Sequence, residues 1–322
     1  MFVASSTEAA RLDRAMREDL ADSLQRLGAL AASVLPADVD MSSALGQMRD
    51  HRAAPGLFAR YYDLVFALQR HDHASAADLW REIAGLATEP ERLNILPCER
   101  GHLGDDSERF SRLLALGDGG GSMFAPPPEA AHRFYESNAR DALSLLARVD
   151  AEWSGEVDAL VSLVVTALPA EGAPRRFANM SSFMTWGAIF TNVGLDRSRL
   201  QVLASLVHEA SHLALFGLSR REALVDNPAS EKRLSPLRHD PRPVDGVFHA
   251  TWISARLARL YQMLACAGAE LTAEEMATVR RQVAGFRRRF QEGHEVIASY
   301  AALTPLGRRL IEEAADHVLA AA

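Results

Sequence analysis

Cysteine is scarce in this sequence of 322 residues: there are two, Cys98 and Cys266, far apart and without a CxxC partner. That excludes a disulfide framework and a cysteine-rich metal site, and both read as buried apolar side chains in a reducing compartment. No apolar run reaches the roughly 18 residues of a membrane span. The opening "MFVASSTEAARLDRAMRED" carries acidic residues and lacks the apolar core of a signal peptide, so the expected compartment is the cytoplasm. Positive charge is also in deficit. Lys and Arg total 35 against 42 Asp and Glu, a formal net charge of -7. The charges are mixed along the chain instead of blocked, which argues against nucleic acid as a partner. The glycines of "GDGGGSMFAPPP" (117–128) have no GK[ST] and no preceding strand-like run, so they read as a flexible loop and not as a phosphate cradle.

What is present is apolar residue, 48% of the chain, enough for a sizeable core. Through about residue 170, "AARLDRAMREDLADSLQRLGALAASVL", "GLFARYYDLVFALQRHD", "SAADLWREIAGLA", "DDSERFSRLLALG" and "PPPEAAHRFYESNARDALSLLARVDAEW" repeat apolar residues at spacings of three and four. These predict amphipathic helices, the last with prolines at its start where a helix tolerates them. After Pro169 the composition shifts. "RRFANMSSFMTWGAIFTNVG" is rich in Phe, Trp, Thr, Ile and Val and predicts one or two strands with a turn. Then come a motif helix, an irregular stretch from Leu218 to Val244, and helices near 245–268, 272–300 and 304–321. The expected fold is mainly α with a small β-sheet (α+β). Its expected division is a helical region 1–170 and a metal-binding catalytic region 171–322, or one continuous domain.

The motif helix reads "DRSRLQVLASLVHEASHLALFG". Ser198 and Gln201 have capping-box spacing and Gly217 the form of a C-terminal stop, so the helix should run from about 199 to 216. On it, His208 and His212 lie one turn apart on one face and can share a first-row metal ion without distorting the backbone. Glu209 is turned by about 100 degrees from His208 and reaches beside that ion, where a zinc peptidase keeps its general base. Such a short pattern also arises by chance, but here Leu203, Leu206, Val207, Ala210, Leu213, Leu215 and Phe216 surround it. Histidines buried among them need partners.

A third ligand must come from elsewhere. The metzincin continuation HExxHxxGxxH is broken by Leu215 at the glycine position and Leu218 at the last-ligand position. A gluzincin glutamate is expected farther away than Glu231, which lies in loop-like sequence, while Glu222 and Asp226 suit bracing the end of the motif helix. The favoured candidate is His249, which begins an apolar helix among Val247, Phe248, Trp252, Ile253 and Leu257. His239, in a polar loop beside Arg238, Asp240 and Pro241, competes with it.

"GAIFTN", then "LVHEASH", then "SPLRHDPRPVDGVFHATW" together resemble the HExxH-motif peptide-modification proteins found with ribosomally made, post-translationally modified peptides. That family is described as iron- and 2-oxoglutarate-dependent peptide β-hydroxylases. The resemblance spans roughly residues 180–265. It implies Fe(II) on His208, His212 and His249 as a three-histidine variant, 2-oxoglutarate as co-substrate and a precursor peptide as substrate. Glu209 would orient a ligand or water, with Glu209 or Asp226 able to enter the ligand set. The distal carboxylate of 2-oxoglutarate calls for arginine, and Arg238, Arg242 and Arg256 are the candidates, the first two in a loop restricted by Pro236, Pro241 and Pro243. "FMTWGAIFTN" stands where a zincin-type fold has a peptide-holding edge strand, or else it is an ordinary core strand with Trp186 and Phe190 beneath it. The alternative activity is a zinc metallopeptidase with Glu209 as base. A third reading is a helical protein that uses a metal only for structure.

Overall fold

The computed structural model describes residues 2–85, 93–116, 120–195, 197–235, 238–267 and 270–319, the side chains of 238–240 excepted. In chain order the elements are helices α1 (Ser6–Leu30), α2 (Ser42–Asp50), α3 (Pro55–Gln69) and α4 (His73–Ala84), strand β1 (Asn94–Pro97), and helices α5 (Arg100–Leu103) and α6 (Asp106–Ala115). Strand β2 (Phe124–Ala125), helices α7 (Glu129–Val149) and α8 (Ala151–Leu160), and strands β3 (Leu163–Pro169), β4 (Asn179–Ser181) and β5 (Ala188–Asn192) follow. The chain continues through α9 (Arg199–Leu218), β6 (Lys232–Ser235), β7 (Arg238–Pro243), α10 (Val244–Cys266), α11 (Ala273–Tyr300) and α12 (Pro305–Leu319). The fold is mostly helical with a small mixed sheet, as composition predicts. Among the described residues no helix is long and apolar enough to cross a membrane.

Two compact units interleave along the sequence. One, here the motif unit, is Met1–Glu8, Asn138–Val157 and Arg197–Ala322; the other, the sheet unit, is Ala9–Ser137 and Asp158–Asp196. The organisation therefore departs from a single division at residue 170. Residues 158–169 and the strands after them group with the N-terminal helices, because β3 completes a sheet with β1.

In the sheet unit the strand order is β1-β3-β5-β4, with β2 paired to the end of β3. β1, β3 and β5 are parallel, while β4 and β2 run antiparallel to their partners. Strand β3 was not expected from the sequence. Its "LVVTA" is buried throughout, without the alternation that marks a half-exposed strand, so its apolar run merges with that of α8.

Strand β5 also corrects an expectation. It pairs with β3 on one side and β4 on the other, so it is interior and has no free edge for a peptide. The core-strand alternative is the one observed: Trp186 and Phe190 are buried, and Phe190 stacks on Phe124 at 5.0 Å. Residues Phe183–Thr185 form a single 3-10 turn instead of strand. The chain then enters β5 through Gly187 at φ +88°, where a Cβ would lie 2.8 Å from Ser162 Oγ. Cys98 is buried in this unit, and burial pushes its thiol up to about 12. Cys266, expected inside, is exposed at the last turn of α10; neither is in a disulfide.

In the motif unit local signals read well. The Ser198–Gln201 capping box opens α9, and a second one, Thr272–Glu275, opens α11. Gly217 does not stop α9. It is buried inside the helix, which ends at Leu218 where the Ser219 hydroxyl donates to Leu215 O. Helices α10 and α11 approach closely at Gly293, where a Cβ would lie 2.0 Å from Thr251 Oγ1. The stretch expected to be irregular holds an antiparallel β6–β7 ribbon, with Pro241 and Pro243 opposite Leu234 and Lys232. A two-stranded ribbon has outer edges where a missing N–H costs nothing, which is why prolines fit there. Pro236 lies outside the described residues.

Candidate metal centre

Helix α9 is buried nearly all round, with Leu203, Leu206, Val207, Ala210, Leu213 and Leu215 in the core. That burial holds Glu209 inside, at 4% exposure, while His208 and His212 keep partial access. Helix α10 packs against α9, and its second turn carries His249. His212 and His249, 37 residues apart in the chain, meet with their Nδ1 atoms 3.4 Å apart and their rings nearly parallel at a centroid distance of 5.6 Å. The ring centroids of His208 and His212 are 5.0 Å apart. Phe216, one turn beyond His212, lies against both His212 and His249, at 6.1 and 5.5 Å.

The electrostatics favour neutral imidazole at His249. Burial holds it below the usual histidine range, opposed by Asp245, whose Oδ2 is 3.8 Å from Nε2. Neutral imidazole is the form that ligates metals. Asp245 was not singled out in the sequence, although its spacing of four residues before His249 on one helix is a readable signal. Glu209 Oε1 lies 3.9 Å from His208 Nε2.

Two ring nitrogens bound at about 2.0–2.1 Å to one tetrahedral ion would sit roughly 3.4 Å apart, so the His212–His249 spacing suits a shared ion. Among the described residues, no three His, Cys, Asp or Glu side chains have donor atoms already gathered about one point. The donor set fits a first-row metal in residue type and in the close His212–His249 pair. His208 stands one helical turn before His212 on the same face of α9.

Among the other candidates, Glu222 and Glu231 have partners of their own. Glu222 accepts the Leu306 N–H at the start of α12, so it braces α12. Glu231 pairs with Arg233 and accepts from Asn227. Asp226 is exposed, its backbone N–H donated to Ala302 O. The side chains of His239 and Arg238 lie outside the described residues. Arg242 is half-buried on β7, two residues before α10 begins.

Arg256 departs from the expected role. It is two turns beyond His249 on α10, yet its guanidinium is wholly buried within the protein. Nη2 pairs with Glu156 of α8, Nη1 donates to Phe2 O at 3.1 Å, and Nε donates to Ser211 Oγ at 3.0 Å. Trp153 and Trp252 both lie against it, their ring centroids 4.6 and 5.0 Å from its central carbon. A guanidinium so engaged is not offered to a co-substrate carboxylate. Glu156 and Ser211, like Asp245, are residues that reading the sequence missed. Glu156 lies 100 residues from its partner, with no local pattern to connect them.

No protein-family model matches the chain, and no curated protein matches it.

Proposed function

We propose that the motif unit holds Fe(II) on His208, His212 and His249 and, with 2-oxoglutarate and O2, hydroxylates a β-carbon of a residue in a ribosomally made peptide in the cytoplasm. The metal part is carried by the 3.4 Å contact between His212 and His249, two residues of a motif and a downstream segment that meet only on folding. The oxygenase part rests on the resemblance of "LVHEASH" and "SPLRHDPRPVDGVFHATW" to the peptide-modifying family.

When bound, iron with 2-oxoglutarate and O2 supplies the oxidant for breaking an unactivated C–H bond. The chain's own residues do the rest. His249 stays neutral through burial and so keeps its ring nitrogen available. Phe216 packs against two of the rings and keeps water from that side. Buried Glu209 stands beside His208 and holds a ligand or water in place. With Arg256 engaged by Glu156, Arg242 becomes the favoured partner for the distal carboxylate of 2-oxoglutarate, with Arg238 second. The same buried Glu209 also serves the alternative, a zinc metallopeptidase in which it takes a proton from water.

Anaerobic addition of Fe(II) and then 2-oxoglutarate should produce a charge-transfer absorption band, and O2 with peptide should release succinate. Tight zinc binding with no dependence on 2-oxoglutarate overturns the oxygenase and leaves the peptidase. His249→Ala should lose about a hundredfold or more in metal affinity, and an unchanged affinity shows that the third ligand lies elsewhere.

A further inference from the structure

The Arg256 cluster has a geometry that filling space alone does not require. Two adjacent residues of α9 each meet a residue of α10: His212 touches His249, and Ser211 accepts from Arg256. On α10 those partners are seven residues apart, on nearly the same face and about 10 Å along the axis. A slide of α9 by one residue, or a turn about its axis, breaks both contacts together.

The polar contact is held on every side. The Ser211 hydroxyl donates to Val207 O at 2.7 Å while accepting from Arg256 Nε, so its hydrogen is committed and its rotation fixed. The guanidinium plane is gripped by Glu156, Phe2 O and two indole rings. Glu156 in turn accepts the Ser5 N–H at 3.2 Å. A buried ion pair is weak as a source of net stability, because desolvating both charges offsets their attraction, and apolar residues of the same volume often do as well. A planar hydrogen-bond donor supplies direction, which an apolar side chain lacks.

We infer that Arg256, gripped by Glu156, is a positioning residue that sets the register of α9 against α10 through the Ser211 hydroxyl, and thereby where His212 meets His249. The consequence for metal binding rests on the reading of the three histidines as ligands; the register itself does not.

Ser254 supplies a matched control. It is buried on α10 and its hydroxyl donates to Ala250 O at 2.8 Å, the same intrahelical bond as in Ser211 but without a cross-helix arginine. The experiment compares Ser211→Ala, Ser211→Thr and Ser254→Ala by three readouts: thermal stability, Co(II) affinity by chelator competition, and ring-to-ring nuclear Overhauser contacts between His212 and His249 in metal-free, histidine-labelled protein. Expected for Ser211→Ala are loss of the ring contact and about a tenfold or greater loss of Co(II) affinity. Ser254→Ala should keep both, and Ser211→Thr, which retains the hydroxyl, should recover most of the contact and the affinity. Retained ring contacts in Ser211→Ala, with a stability loss like that of Ser254→Ala, overturn the inference whatever the metal does. Wild-type protein that shows the ring contact but binds no Co(II) sinks the metal reading alone.

Discussion

Two arginine–carboxylate arrangements, one in each unit, stand in opposite relation to water. In the sheet unit, Asp63 of α3 accepts from Arg109 and Arg112 of α6, while Asp106 and Glu82 are shared by Arg60 and Arg109. That network has a wet rim, since the Arg112 side chain is half exposed and Glu82 nearly so. In the motif unit the pair Arg256–Glu156 is sealed, at 0% exposure on both sides. A network reached by water shares its charge with solvent and tolerates the loss of one member, whereas a sealed pair has no substitute partner. The number of ion pairs therefore says less about stability than where water stops.

The sealed pair should break hardest. Arg256→Met or Glu156→Leu alone should lose about 3–5 kcal/mol in urea unfolding, and the double substitution should regain most of it, because it leaves no uncompensated buried charge. Additive losses would show that the two residues are not coupled. Asp63→Asn in the sheet unit should cost less, about 1–3 kcal/mol, since Arg112 can turn to water; a loss as large as that at Arg256 would erase the contrast. Between these regimes lies Arg199–Glu275, a bidentate pair joining the starts of α9 and α11. The Arg199 hydrogen bond, aided by the Thr272 N–H and opposed by burial, holds Glu275 down at about 2 from an ordinary 4.5. A depressed carboxylate contributes stability that is present above 4.5 and is lost as pH falls toward 2. Glu275→Gln should flatten that part of the acid unfolding curve by on the order of 1 kcal/mol, and a curve parallel to wild type would count against the pair. The exposed pair Arg81–Asp78 should matter least: Arg81→Ala should leave the unfolding midpoint unchanged within error.

How far the site could be read in advance follows the same division between local and distant. The start of α9 and the bounds of α10 to α12 follow from capping boxes and apolar spacing, signals carried within one or two turns. His249 stood out because a histidine on an apolar helix needs a partner, and the fold brings it to His212. Arg256 was placed on the right stretch of α10, but its partner was invisible, since Glu156 belongs to a helix 100 residues earlier. Strand β3 was hidden for another reason. A strand buried on both faces carries no alternation, and its apolar run follows α8 within three residues.

By itself the sequence determined the helical character, the start of the motif helix and the spacing of His208 and His212 on one of its faces, because spacing, capping and side-chain chemistry act over a few residues. Only the tertiary structure decided that β5 is interior, that two units interleave and that Arg256 spends its charge on Glu156 and its Nε–H on Ser211. Those outcomes depend on which distant segments exclude water from one another, and no local pattern encodes that choice.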